Sequence, residues 1–163
     1  MATLGGHAQS GGVDYSTVRV SDWVTQRSDT LDYALREFGG KRAFILIRKF
    51  ANSKSASLAY PKELDFTNGS IELDIASPNG KQGFVGIAFH IQDSNHYETL
   101  YFRPGSSGTG EAIQYMPKKK PEFDWWDLSL TDLDPGLSHG SVGFWLGNCP
   151  SGAYKNLKIK RTA

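Results

Sequence analysis

Apolar and polar residues alternate along much of this chain instead of recurring at helical spacing. In Ser70-Ile71-Glu72-Leu73-Asp74-Ile75-Ala76, Ile71, Leu73 and Ile75 point one way, and Ser70, Glu72 and Asp74 the other. Successive side chains of a strand leave on opposite sides, so this spells a strand with one buried and one wet face. Asn68-Gly69 opens it and Pro78-Asn79-Gly80 turns the chain after it. The same period runs from Gly83 to Gln92. Val85, Ile87, Phe89 and Ile91 form its core face, and Gly86, Ala88, His90 and Gln92 the other. Small residues on that second face leave space above the sheet, as at a shallow cleft. After a turn at Asp93-Ser94-Asn95, residues 96–103 return with Leu100 and Phe102 inward and Tyr97, Thr99, Tyr101 and Arg103 outward. Glu98 breaks the pattern by falling inward. A carboxylate there must lie near an edge or be paired, because burying it alone is costly.

Further strands are expected at Ala43–Ile47, Glu111–Met116, Ser141–Gly147 and Tyr154–Lys160, with Trp145 pointing outward. The segment Asp29–Phe38 reads two ways. Ser28 could cap a helix with Leu31 and Leu35 on one face, or the segment is a strand or loop. Eight or nine short strands separated by turns predict an all-β fold, a sandwich or barrel. Residues 1–15 read as a flexible N-terminal arm and 16–163 as a single β-sandwich domain.

Composition narrows the function classes. Of the 163 residues, 39% are hydrophobic and 21% charged, which suits a folded core. The net charge of +1 argues against a broadly basic binder of nucleic acid or of anionic membranes. The lone Cys149, in a loop, excludes an intrachain disulfide and a Cys-rich zinc site and reads as a bystander thiol. No apolar run is long enough to cross a bilayer as a helix. The compartment stays open: cytoplasmic, or secreted or periplasmic if a signal preceded this numbering.

A set of short motifs carries a resemblance. Phe66-Thr67-Asn68-Gly69, Glu72-Leu73-Asp74, Gly83–Phe89, Tyr97-Glu98, Tyr101-Phe102-Arg103-Pro104 and Gln114-Tyr115 occur in that order. Asp132-Leu133, Gly143-Phe144-Trp145 and Asn156-Leu157 follow. Over roughly residues 40–160 the chain resembles the concanavalin A-like lectin/glucanase superfamily. Within it, the chain is most similar to laminarin-degrading-type and 3-keto-disaccharide hydrolase-like domains. The resemblance implies an antiparallel β-sandwich of concanavalin A-like jelly-roll type that binds carbohydrate on a concave sheet. One departure stands out. Relatives carry more chain between the counterparts of Tyr115 and Asp132, enough for two or three strands. A sheet here would lack central strands, and its open edge would need cover, as in a homodimer.

The resemblance also frames the chemistry. Retaining glucanases of this superfamily place two Glu around an Asp on one strand, with the nucleophile and acid/base about 5–5.5 Å apart. Here Glu72 and Asp74 are followed by Ala76 and Ser77, so the second Glu is missing and double displacement is disfavoured. His90 and Glu98, with His96 nearby, remain candidates for the base of a keto-sugar hydrolase-like enzyme. Tyr101, Arg103, Gln114 and Trp145 suit a sugar, with rings to stack and planar donors for hydroxyls. The structural alternative pairs Arg103 with Glu98 or Glu72 and buries Trp145. The preferred reading is a lectin-like domain binding a glycan or small polyhydroxyl ligand through Glu72, Asp74, His90, Gln92, Tyr101, Arg103, Gln114 and Trp145. The alternatives are the hydrolase-like enzyme and a structural or dimerising domain. No cofactor is expected. Asp93 and Asn95 supply only two oxygens toward a Ca²⁺ loop, and the turn reading is preferred.

Overall fold

A computed structural model describes residues 12–14, 23–25, 31–49, 56–119 and 136–162. Trp125-Trp126 and Asp132-Leu133 lie outside the described residues, as do the first eleven positions. The described chain is all β, in two antiparallel sheets. Eleven strands follow in order: β1 Gly12–Asp14, β2 Trp23–Thr25, β3 Leu31–Phe38, β4 Lys41–Arg48, β5 Ala56–Pro61, β6 Gly69–Ala76, β7 Phe84–Ile91, β8 Tyr97–Phe102, β9 Ile113–Lys118, β10 Ser141–Gly147 and β11 Ser151–Arg161. Gly12–Asp14, inside the expected arm, instead pair with Lys158–Lys160. The helix alternative for residues 29–38 is corrected: Leu31–Phe38 is a strand. Leu31, Tyr33 and Leu35 join the core, so period two, which these residues also satisfy, prevails over the i, i+4 pair.

The wide sheet runs β2-β5-β10-β7-β8-β9. The narrow sheet is built on β11. β6 lies along one side of β11, while β4, followed by β3, and β1 share the other. β11 comes close to β10, and β6 to β7. Between the sheets packs an aromatic spine. Phe144 of the wide sheet stacks on Tyr154 of the narrow one at 4.3 Å and on Trp23 at 4.7 Å, and Trp23 stacks on Phe44 at 5.2 Å. The Tyr154 hydroxyl donates to the Trp145 carbonyl at 2.5 Å, so this buried phenol is satisfied.

Two bulges steer side chains. Ser141 faces Ile91 but Gly143 faces Ala88, so β7 holds one residue more than β10. His90 takes up the extra residue with φ of 49°. Alternation therefore flips, and Ile91 packs on the opposite face from Val85 and Ile87, against the expectation that all three share one face. On β11 the second bulge places Asn156 at φ of 54°, and its amide donates to the Asp74 carboxylate at 2.7 Å. Asn tolerates this left-handed conformation better than most residues.

Burial, with the Cys149 sulfur adjacent, pushes the Tyr154 phenol above its ordinary 10.0. Burial does the same to Tyr97, against the pull of its hydrogen bond with Trp145. A folded-state value above the unfolded one gives stability that is complete below the unfolded value and lost as pH rises past it. Above about pH 10 the domain is expected to unfold as tyrosinate absorbance rises in step with loss of the β circular-dichroism signal. Full tyrosine ionisation in a domain that keeps its native signal would contradict this.

Candidate functional site

The side chains expected to form one concave site fall into separate groups. Trp145, Tyr101 and Gln114 do come together. Register aligns Leu58, Trp145, Gly86, Tyr101 and Gln114 as one row across β5, β10, β7, β8 and β9. Trp145 and Tyr101 stack at 5.2 Å and 30° across the intervening glycine. A Cβ on Gly147 would sit 2.2 Å from the Trp145 ring, and one on Gly86 would sit 2.7 Å from the Tyr101 Cβ. Gly147 thus makes room for the protein's own indole, and Gly86 for the close approach of β8, not for a ligand. Trp145 is 0% exposed and Tyr101 1%. The Trp145 indole reaches the Tyr97 hydroxyl, and the Tyr101 hydroxyl donates to Gln114 Oε1 at 2.6 Å. The expectation that Trp145 and Tyr101 line an open hollow is therefore corrected: they form a second core with Leu58, Ala88, Met116 and Tyr97.

Arg103 sits at the end of the neighbouring row, its guanidinium 5.3 Å above the Phe84 ring. Its ion pair is with Glu111 at 3.1 Å, not with Glu98 or Glu72. Glu72 and Asp74 belong to the other sheet, on its exposed outer side. Asp74 braces the Asn156 bulge, and Glu72 lies across from Lys158. Alternation had sorted these carboxylates to a wet face, but a strand's own period does not say which sheet it joins. Gln92 is exposed at the β7–β8 turn, its backbone N–H donating to the His96 carbonyl. In that turn Asp93 Oδ1 accepts from the Asn95 and His96 amides, and Oδ2 bonds the His96 ring at 2.7 Å. Burial raises the Asp93 carboxyl, but these bonds outweigh it and hold the group below its ordinary 3.8. Both oxygens thus serve the turn. No cluster of three or more His, Cys, Asp or Glu able to hold a metal occurs among the described residues.

His90 and Glu98 meet on the inner side of the wide sheet. The β7 bulge swings His90 inward, and its Nδ1 lies 2.5 Å from Glu98 Oε2. Glu98 Oε1 accepts from the Tyr115 hydroxyl at 2.5 Å, and His90 Nε2 faces the Thr67 carbonyl at 3.0 Å. Glu98 is 1% exposed, so the expectation of a paired inward carboxylate holds. Both His90 nitrogens are thus engaged by partners within the fold, Nδ1 by Glu98 and Nε2 by the Thr67 carbonyl. Tyr115 was missed as a partner. Glu98 pairs with Pro117, which makes Tyr115 a diagonal neighbour on the same face once the β8–β9 register is known.

An accessible apolar cleft lies elsewhere, between the sheets. A cleft of about 690 Å³ is lined by Leu73 and Ile75 of β6 and by Ile87, Phe89, Leu100 and Phe102 of β7 and β8. It exists because the two sheets differ in width. Beyond β7 the wide sheet continues into β8 and β9, whereas β6 ends the narrow sheet among the described residues. Leu73, Ile75, Phe89, Leu100 and Phe102 are only half-buried. Glu72 is the one charged residue in the lining.

No family model, curated protein or solved structure matches the chain.

Two substitutions test this arrangement. Trp145→Ala is expected to cost about 3–5 kcal/mol of stability, as for an aromatic removed from a core. Glu98→Ala, which strips both partners of a buried carboxylate, is expected to cost about 3 kcal/mol. Denaturant unfolding measures both. A Trp145→Ala domain that unfolds like the parent would place the indole outside the core.

Proposed function

We propose that this chain is a concanavalin A-like jelly roll acting as a non-catalytic binding domain, one that takes apolar groups into the cleft between its sheets. The observation that carries the reading is the cleft itself. Its volume lies within the roughly 300–1,000 Å³ usual for ligand sites, and its walls are half-exposed Leu, Ile and Phe. Apolar walls left accessible in a folded domain mark places where something binds. Binding is favoured over turnover because the candidate acid/base pair, His90 and Glu98, is bonded at every nitrogen and oxygen within the fold. The motif resemblance supports the jelly-roll form of the sandwich.

Glycan contact is the second reading, favoured by the half-buried Arg103, Phe84 and Gln114 at the margin of the wide sheet's outer side. There a planar donor and a ring edge stand where a sugar could meet them. Under it, Arg103→Ala weakens sugar binding by roughly 1–3 kcal/mol on a glycan array.

The cleft reading is tested with a neutral apolar dye whose emission rises in nonpolar surroundings. Saturable binding at one dye per domain is expected, with loss of it in Leu73→Lys while the circular-dichroism spectrum is kept. Absence of saturable binding, or unchanged binding in Leu73→Lys, would remove the cleft as the site.

A further inference from the structure

β6 pairs with β11 along one side only, and its other edge has no strand beside it among the described residues. Every residue from Gly69 to Ala76 is exposed or half-buried. A bare edge is a template for another strand. Its two faces specify which strand would fit. Outward stand the carboxylates of Glu72 and Asp74, and inward Ile71, Leu73 and Ile75, of which all three line the cleft.

The chain itself shows what complements this pattern. On the paired side, β11 sets Lys158 opposite Glu72, Lys155 opposite Asp74 and Ile159 opposite Ile71. Basic residues meet acidic ones on the outer face and apolar residues meet apolar ones within. Opposed charges on neighbouring strands attract, and like charges repel. A second copy of β6 fits poorly. Antiparallel pairing centred on Leu73 would set Glu72 against Asp74 twice.

Resting on the cleft reading, we propose that the free edge of β6 accepts an extended segment of another protein, in which apolar residues alternate with Lys or Arg, as an added strand of the narrow sheet. Backbone bonds to β6 supply affinity, and the alternating side chains supply register. The inward apolar residues of the added strand come to lie over Leu100 and Phe102 of β8, which extend past the end of the narrow sheet.

The test uses a fluorescently labelled peptide copying residues 155–161, Lys-Asn-Leu-Lys-Ile-Lys-Arg, and reads anisotropy on the full chain. Saturable binding is expected, weakened roughly tenfold in Glu72→Lys as an attractive pair becomes repulsive. A control peptide with its four basic residues replaced by Glu is expected not to bind. Glu72→Lys is expected to keep the circular-dichroism spectrum of the parent, so that weakened binding reports the edge and not unfolding. A peptide that fails to bind while the dye binds overturns the added strand and leaves the cleft reading standing, as does equal binding to Glu72→Lys. Loss of both in the parent protein overturns both. A dimer in sedimentation that Leu73→Lys dissolves would show that a second copy, not a basic segment, takes the edge.

Discussion

Trp145 packs over Gly147, whose missing side chain leaves room for the indole, and the layout of the wide sheet's outer side follows from that packing. With Tyr101 stacked on it across Gly86, the indole turns the outer side of β10, β7 and β8 into a core of its own. The wide sheet is then buried on both faces along its centre. Buried faces cannot also be binding faces, so accessible apolar surface must appear somewhere else. It appears where the narrow sheet stops short.

The inner side is governed by a related constraint. Glu98 points inward by alternation, and an unpaired carboxylate there would be expensive. Tyr115 and His90 supply its partners, and His90 reaches it only because the β7 bulge reverses the parity of that position. The pairing ties β7, β8 and β9 together beside the cleft. It also engages His90 and Glu98, the candidate acid/base pair, within the fold. The same residues therefore favour a stable wall over a reactive one.

Much of the fold was legible in the sequence, for a physical reason: alternation is local. Val85 and Ile87, Leu100 and Phe102, and Ile71, Leu73 and Ile75 all declare their buried sides within a few residues, and the structure puts them there. Three things were not legible. Ile91 and His90 exchange faces because a bulge inserts one residue, and nothing in a period-two pattern announces where that happens. Glu72 shares a polar face with Asp74 but belongs to a different sheet from His90 and Arg103, since sheet membership depends on pairing across long chain separations. Gly86 and Ala88 looked like room for a ligand, yet the room is filled by Trp145 and Tyr101. Small residues signal a space and leave its occupant unnamed.

Residue-resolved amide hydrogen exchange reads directly which strands are sealed and which edge is bare. β7 and β10, each paired on both sides, should hold their amides longest, with β8 close behind, whereas the amides of Gly69–Ala76 that do not bond to β11 should exchange quickly. Uniformly slow exchange along β6, or fast exchange through Ser141–Gly147, would contradict this arrangement.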